Sequence, residues 1–259
     1  MTDRISIAVA DQIADVRLTR ADKMNAIDPA MFEGIGHAID GLAARTDVRC
    51  VVLSGEGRGF CAGLDMASMA RGGSGTSADR NAQGSILPQH VAWGWRQLPM
   101  PVIAAVHGVA FGGGFQIMAG ADIRIVHPDT RFAIREAHWG LVPDMAGWPL
   151  WRTLVRDDVL RELADTAREF DAQEALALGF VTRIDDDPHA AAMTLAREIA
   201  GRSPHAVRGI KRLANAMHDD DPRTLLERET AEQVAVIGKP NMMEAVAANM
   251  GKRAPAFTD

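Results

Sequence analysis

Two short stretches put residues without bulk where the chain leaves an apolar run and enters a helical one. "RGFCAGLDM" (58–66) follows "RCVVLSG" (49–55), and "HGVAFGGGFQ" (107–116) grows out of "PVIAAVHG" (101–108). The consecutive glycines Gly112, Gly113 and Gly114 carry a conformational cost, because glycine loses more backbone freedom on folding than any other residue. The first N–H groups of a helix have no partner inside it, and they carry the positive end of its dipole. Two such groups converging on one oxygen make an oxyanion hole, which stabilises negative charge developing on a carbonyl. Taken alone, each stretch reads as a close packing contact. The two together are more specific, and glycines there let a bulky thioester approach the backbone.

Other chemistries fit less well. "GEGRGFCAG" imitates a dinucleotide fingerprint, with Gly57, Gly59 and Ala62 in place. A true fingerprint opens a long helix, whereas here "LDMASMA" gives about two turns before "RGGSG" breaks it. No glycine run is followed by Lys-Ser or Lys-Thr, so a P-loop is absent. The eight histidines contain no His-x-x-x-His pair, there is no Cys-x-x-Cys, and no Gly-x-Ser-x-Gly elbow occurs.

The chain has 259 residues, 47% of them apolar and 24% charged, the balance of a soluble globular protein. A net charge of −6 leaves no electrostatic footprint for nucleic acid. The acidic runs 185–187 and 219–221 read as solvated loops or helix starts. Two cysteines, Cys50 and Cys61, are too few for a disulfide framework and favour a reducing, cytoplasmic setting. "MTDRISIAVA" has no apolar core of signal length. Residues 101–121 carry no formal charge and are long enough to cross a membrane. Five glycines, a histidine and a glutamine argue instead for a buried strand, a glycine turn and a buried helix, so no membrane partner is expected.

The elements that must position the two junctions follow from pattern. "ISIAVA" (5–10) and "IADVRLT" (13–19) predict a hairpin around Asp11-Gln12. Asp28 caps and Pro29 opens a helix whose apolar face is Met31, Ile35, Ile39 and Leu42. Residues 49–55, 101–108, 123–126 and 131–134 read as buried strands, 71–77 as a mobile surface loop, and 78–98 as helix broken near Pro88. "DAQEALALGF" opens with Asp171 and Glu174 as a capping box and stops at Gly179. "FVTRI" (180–184) is the last strand, and from Asp187 on only helices follow, with Ser203-Pro204 and Asp221-Pro222 as starts. Alternating strands and helices predict an α/β fold. We read residues 1–200 as the α/β core and 201–259 as a helical appendage suited to oligomerisation, with apolar stripes at Val207, Ile210, Leu213, Met217, Leu225 and Val234.

"FCAGLDM", "PVIAAVHGVAFGGGFQ" and "FAIREAHWGLVPDMAG" resemble the three signatures of the crotonase, or enoyl-CoA hydratase/isomerase, superfamily. The resemblance runs from the N-terminal hairpin through "ADKMNAID" to the C-terminal helices. It implies a crotonase-like spiral of ββα units with a C-terminal helical trimerisation region, assembly as a homotrimer or dimer of trimers, and acyl-CoA thioester substrates. Coenzyme A would enter as part of the substrate, with no separate cofactor and no metal. Position by position, the oxyanion donors fall on the N–H groups of Leu64 and Gly113, with Gly112–Gly114 clearing space for the thioester. The CoA- and substrate-facing positions fall on Lys23, Met24, Ala62, Asp65, Met66 and Gly112. Many relatives have a lysine three residues after the first donor; here it is Ala67. Of the hydratase pair of glutamates, the later matches Glu136 and the earlier is Gln116. An amide exchanges no proton usefully at neutral pH, though it can orient water or substrate. Asp144 matches a catalytic aspartate of the dienoyl-CoA isomerase branch, and reads equally as a helix cap before "MAGWPLW". The expected function is hydration or double-bond shift of an enoyl-CoA through a thioester enolate. A sister reaction such as acyl-CoA hydrolysis or dehalogenation, or a non-catalytic acyl-CoA binder, is the alternative.

Overall fold

The structure is a computed structural model and describes residues 4–70, 79–82 and 84–259. The glycine-rich 71–77, read above as a mobile loop, lies outside the described residues. The hairpin forms as expected from β1 (Ile5–Ala10) and β2 (Ile13–Leu18). Asp11 and Gln12 turn it with φ of 51° and 65°, the doubly positive pair that matches the twist of two antiparallel strands. Then β2, β3 (Cys50–Gly55), β4 (Val102–Val106), β6 (Ile123–Val126) and β9 (Arg183–Ile184) pair in parallel, giving the order β1-β2-β3-β4-β6-β9.

β4 is apolar throughout because both faces are buried, as expected for a parallel sheet under two layers. Val102, Ala104 and Val106 face the main core, while Ile103 and Ala105 face the other side. That other side is covered by α8 (Pro188–Ala200) through Ala192, Ala196 and Ala200, small residues that let the helix lie close. The main core is closed by α1 (Pro29–Ala43), where the Asp28 carboxylate accepts from Met31 N–H at 2.9 Å as the sequence requires, and, beyond the short α2 (Met66–Ala70), by α3 (Leu87–Gln97).

A second sheet carries the site. After β4 the chain turns at Gly108 and pairs again as β5 (Val109–Phe111), beside β7 (Arg131–Ala133) and β8 (Phe170–Asp171). Gly108 has φ +64°, and a β-carbon there would lie 2.1 Å from Arg58 O, so no other residue fits. Cys61 bridges to Ala110 in parallel, which lays the 58–66 stretch alongside β5. β5 then feeds α4 (Gly113–Ala119), whose Phe115 packs on Phe132, Phe170, Phe180 and Trp151.

Several details differ from the sequence reading. The helix expected over 78–98 starts only at Leu87, and Pro88 sits in its first turn, where its missing N–H is harmless, instead of breaking it. Asp171 caps α7 (Ala172–Leu178), but the Glu174 side chain pairs with Arg168 and does not return to the cap. Ser203 precedes α9 (Pro204–Ala216) without a side-chain cap hydrogen bond. The strands β5 and β8 and the helix α6 (Asp157–Thr166) were not foreseen, β5 and β8 being too short to show a period; a helix does form within "MAGWPLW", as α5 (Gly147–Trp151).

The last helices, α9, α10 (Pro222–Val236) and α11 (Pro240–Met250), bury little of themselves; α10 has no buried residue. Polar contacts pin this region to the core. Lys211 Nζ donates to Asp122 Oδ2 at 2.7 Å, to Met100 O at 2.9 Å and to Trp95 O at 3.2 Å. Arg49 holds the Asp259 carboxylate at 2.7 Å and also donates to Phe257 O. Removing one partner of a buried pair strands the other, at a cost of about 3–5 kcal/mol. Lys211→Ala is therefore expected to lower stability to urea by about that amount, read from the denaturation midpoint, with Asp122 left accepting from Val102 N–H.

Candidate active site

The first arm is set by Asn25, a residue the sequence reading passed over. It is fully buried in the left-handed region, φ 55°, and its amide donates to Glu56 O and Gly59 O at 2.9 Å each. This fixes the turn from which residues 60–66 emerge. Ile27 and Leu64 form a parallel bridge in which Ile27 N–H donates to Gly63 O and Asp65 N–H donates to Ile27 O. That pattern points the Leu64 N–H away from its neighbour, and among the described residues it has no acceptor. Gly113 N–H, in the first turn of α4, likewise has none. A β-carbon built on Gly63 would lie 3.6 Å from Gly113 N, so the two arms meet.

Each of the three glycines answers a different need. Gly112 has φ 49° and ψ −117°, a backbone state that side chains resist, and a β-carbon on it would lie 3.4 Å from Glu136 Oε1. At Gly113 a β-carbon would meet Met145 Sδ at 2.7 Å and Ile27 Cδ1 at 2.9 Å. At Gly114 it would meet Cys61 O at 2.4 Å. The expectation that all three clear space for a ligand is thus corrected: protein atoms already occupy the space beside Gly113 and Gly114.

Glu136 follows β7 and is 6% exposed. Its Oε1 accepts from Gln116 Nε2 at 2.6 Å, while Oε2 is buried with no hydrogen-bond partner among the described residues. Burial pushes its pKa up, and the Asp144 charge adds to this, against the lowering effect of the Gln116 amide. Gln116, fully buried on α4, spends its own oxygen on Met145 N–H and Gly147 N–H, both at 2.9 Å. It is therefore not placed to orient water or substrate. It orients Glu136 and ties the 145–147 segment to it.

A cavity of about 220 Å³ opens at this point. Ala62, Leu64, Met66, Gly112, Gly113 and Glu136 line it, as do Gly63, Phe111, Arg135, His138, Trp139 and Leu141, which the sequence reading did not single out. Arg135 is stacked 4.8 Å over the Phe111 ring and paired with Glu169 at 2.6 Å. Lys23, Met24, Asp65, Gln116 and Asp144 are not in its lining. Lys23 is exposed at the end of a 3-10 turn, and Met24 O accepts the Ala62 N–H. Asp65 is committed internally: Arg20 donates to it at 2.7 Å and holds its pKa below the usual carboxylate range, and its other oxygen accepts from Ala67 and Ser68 N–H. Asp144 caps no helix, since α5 begins at Gly147 behind Ala146; it lines a neighbouring cavity. Among the described residues no group of three or more His, Cys, Asp or Glu side chains could hold a metal ion. Cys61 is fully buried, and burial pushes its thiol up to about 12, so it is no nucleophile.

Two outcomes test this geometry. Gly113→Ala overpacks against Met145 and is expected to cost about 1–3 kcal/mol in thermal or urea unfolding. Combined with Met145→Ala, the two changes should cost less than their sum, because the second vacates the space the first needs. Additive costs would mean that Met145 is not the obstacle.

The family model for enoyl-CoA hydratase/isomerase matches residues 9–259. Similar proteins include the mitochondrial Delta(3,5)-Delta(2,4)-dienoyl-CoA isomerase of Mus musculus, 30% identical over 93% of this chain and 77% of that protein. The 1,2-epoxyphenylacetyl-CoA isomerase of Escherichia coli is 29% identical over 100% of this chain and 99% of its own length. The solved structure of the enoyl-CoA hydratase of Bacillus anthracis superposes with a TM-score of 0.88 at 26% identity, covering 98% of each chain. With two unbonded N–H groups meeting at a cavity beside a half-free glutamate, and a match over nearly its whole length, the chain belongs to the enoyl-CoA hydratase/isomerase family and has the crotonase fold.

Proposed function

We propose that this acyl-CoA enzyme shifts a double bond of an enoyl-CoA with Glu136 as its one base. The thioester oxygen sits between the Leu64 and Gly113 N–H groups. Glu136 Oε2 takes a proton from the carbon next to the carbonyl or from the far end of the allylic system, leaving a dienolate. The same carboxyl returns the proton to the other end, so the product is an isomer and nothing else is consumed. Each oxyanion donor is worth about 2.7–4 kcal/mol in such a site. The single observation that carries this reading is the split carboxylate of Glu136, one oxygen held by Gln116 and the other unpartnered. Its raised pKa favours holding the proton between the two steps.

Hydration is the second reading, and hydratases are among the similar structures. Two carboxylates can hold the attacking water between them, whereas here the second position is the Gln116 amide and Asp144 lines another cavity. Coenzyme A enters as part of the substrate, held along Ala62, Met66 and the exposed Lys23. The protein works as a trimer or dimer of trimers in a reducing, cytoplasmic setting. Supporting this are Leu226, Val234, Ile237, Met243 and Met250, all exposed on or beside the last helices, and two unpaired buried cysteines. No helix among the described residues is long and apolar enough to cross a membrane.

Three measurements test the proposal. A 3-enoyl-CoA should convert to the 2-enoyl isomer faster than crotonyl-CoA is hydrated; the reverse order overturns it. Glu136→Gln should lower turnover by about two to four orders of magnitude while an acyl-CoA still binds. The pH profile of kcat/KM should lose activity on the acid side at a pH above the ordinary glutamate range, because Glu136 must be ionised to take the proton and its pKa is raised. Gln116→Glu places a second carboxyl 2.6 Å from Glu136 Oε1. Two carboxylates that close share one proton, so this acid limb should move up further.

A further inference from the structure

A side-chain amide fits a pocket either way round, because its two ends have the same shape and differ only in that one accepts and the other donates. For Gln116 the choice decides what Glu136 meets. With Nε2 towards it, Glu136 Oε1 accepts at 2.6 Å. With the oxygen towards it, two acceptors would face each other. The choice is made at the far end of the amide, where Met145 N–H and Gly147 N–H both donate to Gln116 Oε1 at 2.9 Å. Two donors take only the oxygen end.

N–H groups two residues apart converge on one atom only where the backbone between them curls, as in the concavities made by successive residues of opposite hand. The residue between them is Ala146, which is left-handed, with φ 66° and ψ 17°. Glycine takes that state freely and other residues take it at a cost. Both ends of the curl are anchored. Met145 is buried against Gly113, and Ala146 O accepts from Leu150 N–H at 3.3 Å as α5 begins. Ala146 also borders an adjoining cavity of about 280 Å³, so a larger side chain has room there. What such a side chain resists is the backbone state itself.

Resting on the reading of Glu136 as the base, we infer that Ala146 is a positioning residue for the reaction. Its left-handed backbone shapes a two-donor cradle that fixes the Gln116 amide one way round, which keeps a donor on Glu136 Oε1 and leaves Oε2 for the substrate proton. Ala146 touches no reacting atom. The charged or titratable groups about Glu136 are Asp144, whose charge opposes its ionisation, and Arg135 and His138, which line the same cavity, with Glu169 paired to Arg135. None of them lies within residues 145–147, so a substitution of Ala146 by an uncharged residue removes no charge from this group.

The test is the pH profile of kcat/KM for a 3-enoyl-CoA, with hydrogen exchange of the 145–147 amides followed on the same full-length proteins. A β-branched residue resists positive φ, so Ala146→Val should uncurl the segment and let the Gln116 amide turn. Exchange should then quicken and kcat fall with KM little changed. The acid limb should move up by about one pH unit or more, because Glu136 loses a donor to its charged form. Ala146→Gly and Ala146→Asn both admit the left-handed state and should keep the limb of the unaltered protein. Ala146→Leu, bulky but unbranched at Cβ, serves if the valine variant does not fold, with a shift in the same direction. Gln116→Met should raise the limb by itself, and Ala146→Val added to it should raise it no further. A limb that stays in place in Ala146→Val, or moves as far with Gln116→Met as without it, would overturn the inference. Full turnover in Glu136→Gln would sink the reading of Glu136 as base instead. The exchange comparison then decides the cradle alone: faster exchange in Ala146→Val upholds it and unchanged exchange refutes it.

Discussion

Two backbone N–H groups have to stay unbonded inside a folded protein, and the structure depends on arranging this. An unpaired donor away from water costs about 1–3 kcal/mol, so the neighbours must be fixed well enough to prevent its satisfaction by local collapse. The parallel bridge at Ile27 does this for Leu64, by taking Gly63 O and giving Ile27 O to Asp65 while skipping the residue between. The start of α4 does it for Gly113, with helix geometry withholding a partner. The second sheet exists to bring the two together. It is small, and its pairing with Cys61 is what turns two separate loops into one wall.

Around that wall the polar groups are allotted with little slack. Gln116 uses its oxygen for two backbone donors and its nitrogen for Glu136. An amide suits this place better than a carboxyl, because only an amide can accept from two N–H groups and still donate without borrowing a proton. Glu136 is left with one oxygen held by Gln116 and one that has no hydrogen-bond partner among the described residues. The same economy appears at Arg124, buried with its guanidinium on Phe180 O and Ala121 O, where desolvation lowers the pKa to about 10.

Much of this was legible in the sequence. β4 announced itself because both of its faces are buried, and the helix starts at Asp28 and Asp221 because a carboxylate beside proline has few other uses. The junctions at 58–66 and 107–116 were visible as small residues between a strand and a helix. What the sequence hid is spatial. The roles of Gly113 and Gly114 depend on Met145 and Cys61, which approach from elsewhere. Asp65 and Glu136 look alike as carboxylates near a motif. Only the fold shows that Arg20 engages the first and that the second has an idle oxygen. β5 and β8 are too short to carry a period, so the layer that builds the wall left no pattern to read.

The wall also dictates the order in which the protein becomes competent. Leu64, Gly113 and Glu136 come from segments widely separated along the chain, joined through parallel pairings that must each close a long loop. Helices form from local contacts in microseconds, while such long-range closures are slow. In a refolding experiment, helical dichroism should therefore return well before turnover. Recovered activity would then mark the completion of tertiary assembly, as a clock that no partly folded species can start.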